Sequence, residues 1–150
     1  MSKPTVLVVD DEIGIRGLME AILEEGDCRP ILAGTPSQAL RLAQEDRPDL
    51  AILDYMLPEM DGVELGRRLR DQFGDTFPLV FMSAMDVPQV KLAGHASYLF
   101  LPKPFDISNV VEAVQSALAP IQPRPLKADA PTDVEEAPAL RTAQRRSASR

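Results

Sequence analysis

The stretch AILDYMLPEMDG, residues 51–62, decides how the rest of the chain is read. Ala51, Ile52 and Leu53 have the character of a buried strand, yet the next residue, Asp54, carries a charge. A charge at the rim of an apolar core is costly unless something pairs with it or uses it. Pro58, Asp61 and Gly62 then shape a loop, and residues 63–73 read as a helix. The question is whether other strands end in the same way.

They do. Thr5 to Val9 (TVLVV) is a continuous β-branched apolar run, as expected of a strand covered on both faces, and it runs into Asp10, Asp11 and Glu12. Ile15, Leu18, Met19, Ile22 and Leu23 then recur at helical spacing and predict one apolar helix face. Cys28 to Ala33 is a weaker strand containing Pro30; proline cannot donate to a ladder, so this strand belongs at a sheet edge. Thr35, Pro36 and Gln38 start a second helix as cap, first helical residue and capping-box partner. Leu50–Leu53, Pro78–Met82 and Tyr98–Leu101 complete five strands, and Ser108 is read as the cap of a last helix with Val110, Val111, Val114 and Leu118 on one face.

Strands alternating with helices in this way predict an α/β protein, a doubly wound five-stranded parallel sheet with helices on both sides. An edge position for the second strand suits the order 2-1-3-4-5, and sites in such sheets form beyond the carboxyl ends of the strands. Those ends carry Asp10, Asp11 and Glu12, then Asp54, then Ser83, then Lys103-Pro104-Phe105. Each alone has an ordinary explanation: acids favour a helix first turn, a serine caps, and Lys-Pro turns. Their convergence on one edge does not.

Composition sets the frame. A hydrophobic fraction of 45% and a charged fraction of 26% are those of a globular protein. No apolar run approaches the ~20 residues of a membrane span, no signal-peptide pattern opens the chain, and a single cysteine, Cys28, permits neither an intrachain disulfide nor a cysteine-based zinc site. A cytoplasmic location with no membrane partner is expected. Residues 1–119 hold 10 Lys/Arg against 19 Asp/Glu, a net of −9, which argues against nucleic acid as a direct partner. Residues 120–150 are rich in proline and alanine, have five prolines and no aromatic residue, and carry a net +2; a disordered tail or a linker is expected there.

VLVVDDE (6–12), LDYMLPEMDG (53–62), Ser83-Ala84 and LPKPF (101–105) together resemble the receiver domains of bacterial two-component response regulators, CheY-like domains of flavodoxin-like (βα)5 fold. The resemblance covers roughly residues 4–119. It implies that Asp54 accepts a phosphoryl group from a histidine kinase or a histidine phosphotransfer protein, with Mg2+ as cofactor. It further implies that Asp11 and Asp54 ligate the metal with the backbone carbonyl of Met56, and that Asp10 acts mainly through water. Lys103 would offset phosphoryl charge, Ser83 would donate a hydrogen bond to it, and the Lys103–Pro104 peptide would be cis. Phe100, three before Lys103, is either a switch aromatic whose rotamer follows phosphorylation or a core residue. The chemistry suits these residue types, since a carboxylate can attack phosphorus and a hard divalent cation prefers oxygen ligands.

The sequence also departs from that pattern. Nineteen residues separate Ser83 from Lys103, about two fewer than usual, and Ala96-Ser97 stands where a glycine-alanine pair is common; Pro88 and Gly94 bracket any helix there to about two turns. His95, the only histidine, is read as a surface residue rather than a phosphotransfer histidine. Two rivals remain. A dehalogenase-type hydrolase needs a second aspartate two residues after the nucleophile, where Met56 stands; a receiver-like interaction module would act without phosphorylation. The expected function is a single-domain response regulator that signals through a downstream protein target, not an enzyme beyond its own phosphoryl transfer and dephosphorylation.

Overall fold

The computed structural model describes residues 3–85, 87, 92, 95 and 97–119. The chain divides into the units Met1–Ala119 and Pro120–Arg150. The tail expected over 120–150, and the short helix and most of the altered stretch between Ser83 and Lys103, lie outside the described residues.

Five strands, β1 (Thr5–Val9), β2 (Arg29–Ala33), β3 (Leu50–Asp54), β4 (Leu79–Ser83) and β5 (Leu99–Pro102), form one parallel sheet in the order β2-β1-β3-β4-β5. Four described helices connect or follow them: α1 (Ile13–Glu25), α2 (Pro36–Asp46), α3 (Gly62–Phe73) and α4 (Ile107–Leu118). Side chains alternate across a strand, so each strand feeds two cores. Leu7, Val9, Leu53 and Phe81 face a cluster that includes Ala39 and Ala43 of α2 and Leu65 and Leu69 of α3. Val6, Val8, Ile52 and Met82 face the other, with Met19, Ile22 and Leu23 of α1 and Val110 and Val114 of α4. Every residue of β1, β3 and β4 is buried, which is why these read as unbroken apolar runs.

Local details adjust the sequence reading. β2 with Pro30 does lie at the edge. Thr35 caps α2 by accepting from the Gln38 N–H, but the Gln38 carboxamide takes the Gly34 N–H rather than that of Thr35. Leu18 is half-exposed rather than part of the buried face of α1. The last helix is capped by Asp106, not Ser108: Asp106 accepts from the Asn109 N–H while the Asn109 side chain accepts from the Asp106 N–H. Asn109 at the third helical position closes that box, and Ser108 only donates its hydroxyl to the Asp106 carboxylate.

His95 is buried, not a surface residue. Arg70 of α3, also buried, donates to the carbonyls of Phe77 and Ser97 and to His95 Nδ1 at 3.3 Å. A guanidinium only donates, so Nδ1 accepts and the ring proton sits on Nε2, 3.1 Å from the Val63 carbonyl. This pair ties the residues before β5 to α3, and burial, more than the neighbouring Arg70 charge, holds the His95 pKa below its usual value.

Candidate functional site

The register brings the strand ends level. Val9 stands beside Leu53 and Ala33, Asp54 beside Met82, and Ser83 beside Pro102. The residues that follow these positions share one edge of the sheet, and there the carboxylates of Asp10, Asp11 and Asp54 offer oxygens all within 4.8 Å of one another. Asp10 and Asp54 are buried and Asp11 is exposed, so the cluster opens toward solvent on the Asp11 side.

Asp10 is held at every polar atom. Its N–H donates to the Ala33 carbonyl, its carbonyl accepts from Arg16, and its carboxylate accepts from the Glu12 N–H at 2.9 Å and the Lys103 ammonium at 2.9 Å. Lys103 is 3.5 Å from Asp54. Burial alone would lower the Lys103 pKa, but its hydrogen bond to Asp10 and the charges of Asp10 and Asp54 outweigh it and raise it. Asp54 is pushed up to about 6, first by burial and then by the charge of Asp10; Lys103 and the Met56 N–H oppose the rise. Three acids of which two are buried, with one ammonium among them, make a site short of positive charge. Oxygen donors so arranged suit a hard divalent cation such as Mg2+.

The remaining parts are placed by backbone contacts. The Lys103 N–H donates to the Ser83 carbonyl, and the Lys103–Pro104 peptide is cis. Ser83 is buried, with its hydroxyl accepting from the Met85 N–H at 3.0 Å. The loop after Asp54 folds back so that the Gly62 N–H donates to the Tyr55 carbonyl. A Cβ on Gly62 would lie 2.2 Å from the Asp54 carbonyl oxygen, so glycine alone fits. Asp61 caps α3 by accepting from the Glu64 N–H. Glu59, at φ 73°, accepts from both the N–H and the hydroxyl of Ser37, which pins the loop to the start of α2. Met56 and Met85 are exposed. Phe100 is 41% exposed on β5, so the core reading of it does not hold.

Every residue singled out at the strand ends thus comes to one edge, with Phe100 two strand positions before its end. The sequence reading missed Arg16. Its position four after Glu12 on α1 was the available signal, but a contact with the Asp10 carbonyl is tertiary and leaves no periodic trace.

The profile of the response regulator receiver domain matches residues 6–115. Response regulator MprA of Mycobacterium leprae is 32% identical over 120 residues, covering 79% of this chain and 52% of that protein. MprA of Mycolicibacterium vanbaalenii is 34% identical over 115 residues, covering 75% and 49%. The chain therefore spans about half the length of the curated relatives it matches. Among solved structures, chemotaxis protein CheY4 of Vibrio cholerae superposes with a TM-score of 0.73 at 27% identity, covering 78% of this chain and all of that one. The receiver domain of the Francisella response regulator 1452 gives 0.67 at 29% identity, covering 80% of this chain and all of that one.

Proposed function

This chain belongs to the response regulator receiver domain family, and from that premise we propose that it is a phosphorylation switch with Asp54 as the acceptor. Receiver domains are modules of two-component signalling, whose partners are histidine kinases. The observation that carries the reading is the meeting of three carboxylates within 4.8 Å with the Lys103 ammonium and the Ser83 hydroxyl close by in the fold.

An Asp54 carboxylate oxygen would attack the phosphorus of a phosphohistidine on a kinase or phosphotransfer protein. The P–O bond forms as the P–N bond breaks, and the freed imidazole takes up a proton. Asp11, Asp54 and the Met56 carbonyl would hold Mg2+, with Asp10 acting through water, and the ion would supply the positive charge that three anionic groups and the phosphoryl require. Lys103, already between Asp10 and Asp54, would turn part of its contact to a phosphoryl oxygen. Ser83 would donate its hydroxyl, whose oxygen accepts from the Met85 N–H. Phe100, on the strand leading to Lys103 and half-exposed, is suited to act as the switch aromatic.

Residues 1–119 serve as the receiver and 120–150 as a tail, a division that the units of the chain support. The acidic receiver favours a protein as its direct target over nucleic acid or membrane, and no helix among the described residues is long and apolar enough to cross a membrane. Incubation with acetyl phosphate and Mg2+ tests the mechanism. Intact mass should rise by one phosphoryl group, Asp54→Asn should abolish the rise, and Asp11→Ala should reduce it. Labelling of the Asn variant equal to wild type would sink the assignment of Asp54 as acceptor, and wild type that takes up no phosphoryl group would favour an interaction module that works without phosphorylation.

A further inference from the structure

Among the described residues, the hydrogen bond of the Arg16 side chain goes to a backbone carbonyl and not to a carboxylate. Arg16 Nη1 donates to the backbone carbonyl of Asp10 at 2.7 Å. That carbonyl belongs to the peptide that joins Asp10 to Asp11, and a peptide is planar, so fixing its oxygen fixes the direction in which the Asp11 Cα leaves. Asp10 itself is immobilised by the Ala33 carbonyl, the Glu12 N–H and Lys103. Asp11 has no such fixings among the hydrogen bonds described, and it is exposed. Its placement within reach of Asp10 and Asp54 therefore depends on the turn that Arg16 holds.

Gly34, at the end of β2, carries the second observation. A Cβ built there would lie 2.9 Å from Arg16 Nη1 and 3.5 Å from Cζ, and the three atoms nearest to it all belong to the Arg16 guanidinium. The backbone of Gly34 has no positive φ, and its N–H donates to Gln38 as any residue's would. Its lack of a side chain thus answers to the guanidinium lying over it. We propose that Arg16 is a positioning residue for the acidic pair, orienting the Asp10–Asp11 peptide, and that Gly34 is glycine in order to admit it. The proposal rests on the reading of this edge as a Mg2+-dependent phosphoryl site.

Two consequences of removing Arg16 oppose each other. Loss of the carbonyl contact should weaken Mg2+ binding, as loss of outer partners commonly does by roughly tenfold or more. Loss of a cation near an acidic cluster should strengthen it. The sign of the change therefore separates positioning from plain charge. Gly34→Ala is the second probe, because its methyl meets first the far end of a flexible side chain and should displace the guanidinium without unfolding the protein.

The experiment titrates the full chain with Mg2+ and follows amide chemical shifts by NMR, for wild type, Arg16→Ala, Arg16→Gln, Gly34→Ala and the Arg16→Ala/Gly34→Ala pair. Metal-free melting temperatures are taken in parallel. Arg16→Ala and Gly34→Ala should each weaken Mg2+ binding by about tenfold. Arg16→Gln, an uncharged donor, should recover part of that loss, and the double variant should bind no worse than Arg16→Ala alone. Undiminished or tighter binding in Arg16→Ala would overturn the proposal while leaving the functional reading intact, as would losses that add in the double variant. A lower metal-free melting temperature with Mg2+ affinity unchanged would reduce Arg16 to a structural brace and overturn it too. Wild type that binds no Mg2+ would overturn the functional reading and this proposal together.

Discussion

The ammonium of Lys103 lies 2.9 Å from the Asp10 carboxylate, nearer than the 3.5 Å that separates it from Asp54. The lysine is therefore engaged chiefly in offsetting a carboxylate that is wholly buried. A buried charge deprived of its partner is costly, whereas an intact buried pair adds little. Lys103→Met should cost about 2–4 kcal/mol in EDTA at pH 8, toward the lower end for buried pairs because the lysine keeps some exposure. The loss should shrink on adding Mg2+ and as the carboxylates protonate. Urea denaturation read by circular dichroism checks this, and an unchanged midpoint would mean that Asp10 finds another counter-charge.

Metal binding should stabilise the fold, because charge repulsion among Asp10, Asp11 and Asp54 is relieved in the folded state only. At 100 times the dissociation constant the linkage amounts to about 2.7 kcal/mol. The melting temperature should rise with Mg2+ in wild type and rise less in Asp11→Ala. Equal rises in the two proteins would place the ion elsewhere.

The raised pKa of Asp54 gives the metal-free protein a definite pH dependence. The folded value, about 6, lies above the ordinary carboxylate range, so the folded state favours the protonated acid. Its contribution is complete below about pH 4 and is lost as the pH rises through about 6. In EDTA, wild type should thus lose on the order of 2–3 kcal/mol from this group between pH 4 and pH 7. Asp54→Asn should remove that loss and be the more stable protein at pH 7. Denaturation series in EDTA read it directly; parallel pH profiles for the two proteins would contradict it.

His95 pulls the other way in the same window. Its folded pKa lies below its usual value, so the neutral ring is favoured, and its contribution is complete above about pH 6.5 and lost as the pH falls toward the folded value. Protonation would remove the acceptor of Arg70 and set two cations 3.3 Å apart. Arg67 and Glu64 of α3 also act on the ring, with opposite signs. His95→Gln in an Asp54→Asn background should flatten the remaining acid loss, with metal-free denaturation midpoints as the measurement. A slope unchanged by the substitution would show that the ring is not the titrating group.

These contacts mark the limit of what the sequence makes legible. Val6–Val9 and Leu50–Leu53 announce themselves because a strand buried on both faces has no polar alternation to confuse it. Asp54 and Ser83 are legible because each ends such a run, and Lys103 because it follows the shorter, less buried strand β5; topology alone brings the strand ends together. His95 and Arg70 were opaque for the opposite reason. A polar side chain reads as exposed until its partner is known, and these partners lie 25 residues apart in the sequence. Asp106 and Ser108 are both good caps, and only the reach of Asn109 back to the Asp106 N–H decides between them.

The last prediction concerns how long the phosphorylated state lasts. Hydrolysis of an aspartyl phosphate needs a water in line with the departing carboxylate. In receivers the side chains two beyond the acceptor and two beyond the hydroxyl residue flank that approach, here Met56 and Met85. Met56 lies two residues beyond Asp54, and the Met85 N–H bonds the Ser83 hydroxyl, which anchors Met85 at the site by its backbone. Their side chains are 58% and 53% exposed, flexible and apolar, and neither can orient a water by hydrogen bonding. An acid or amide there could, and holding a reactant in place removes a substantial part of a barrier. The phosphoprotein should therefore decay slowly without a phosphatase. Met56→Asn with Met85→Glu should speed decay by about tenfold or more, equivalent to roughly 1.4 kcal/mol of barrier. The rate is read on Phos-tag gels after the phosphodonor is removed, and decay that is unchanged or slower in the double variant would mean that water reaches the phosphoryl group by a path these methionines do not border.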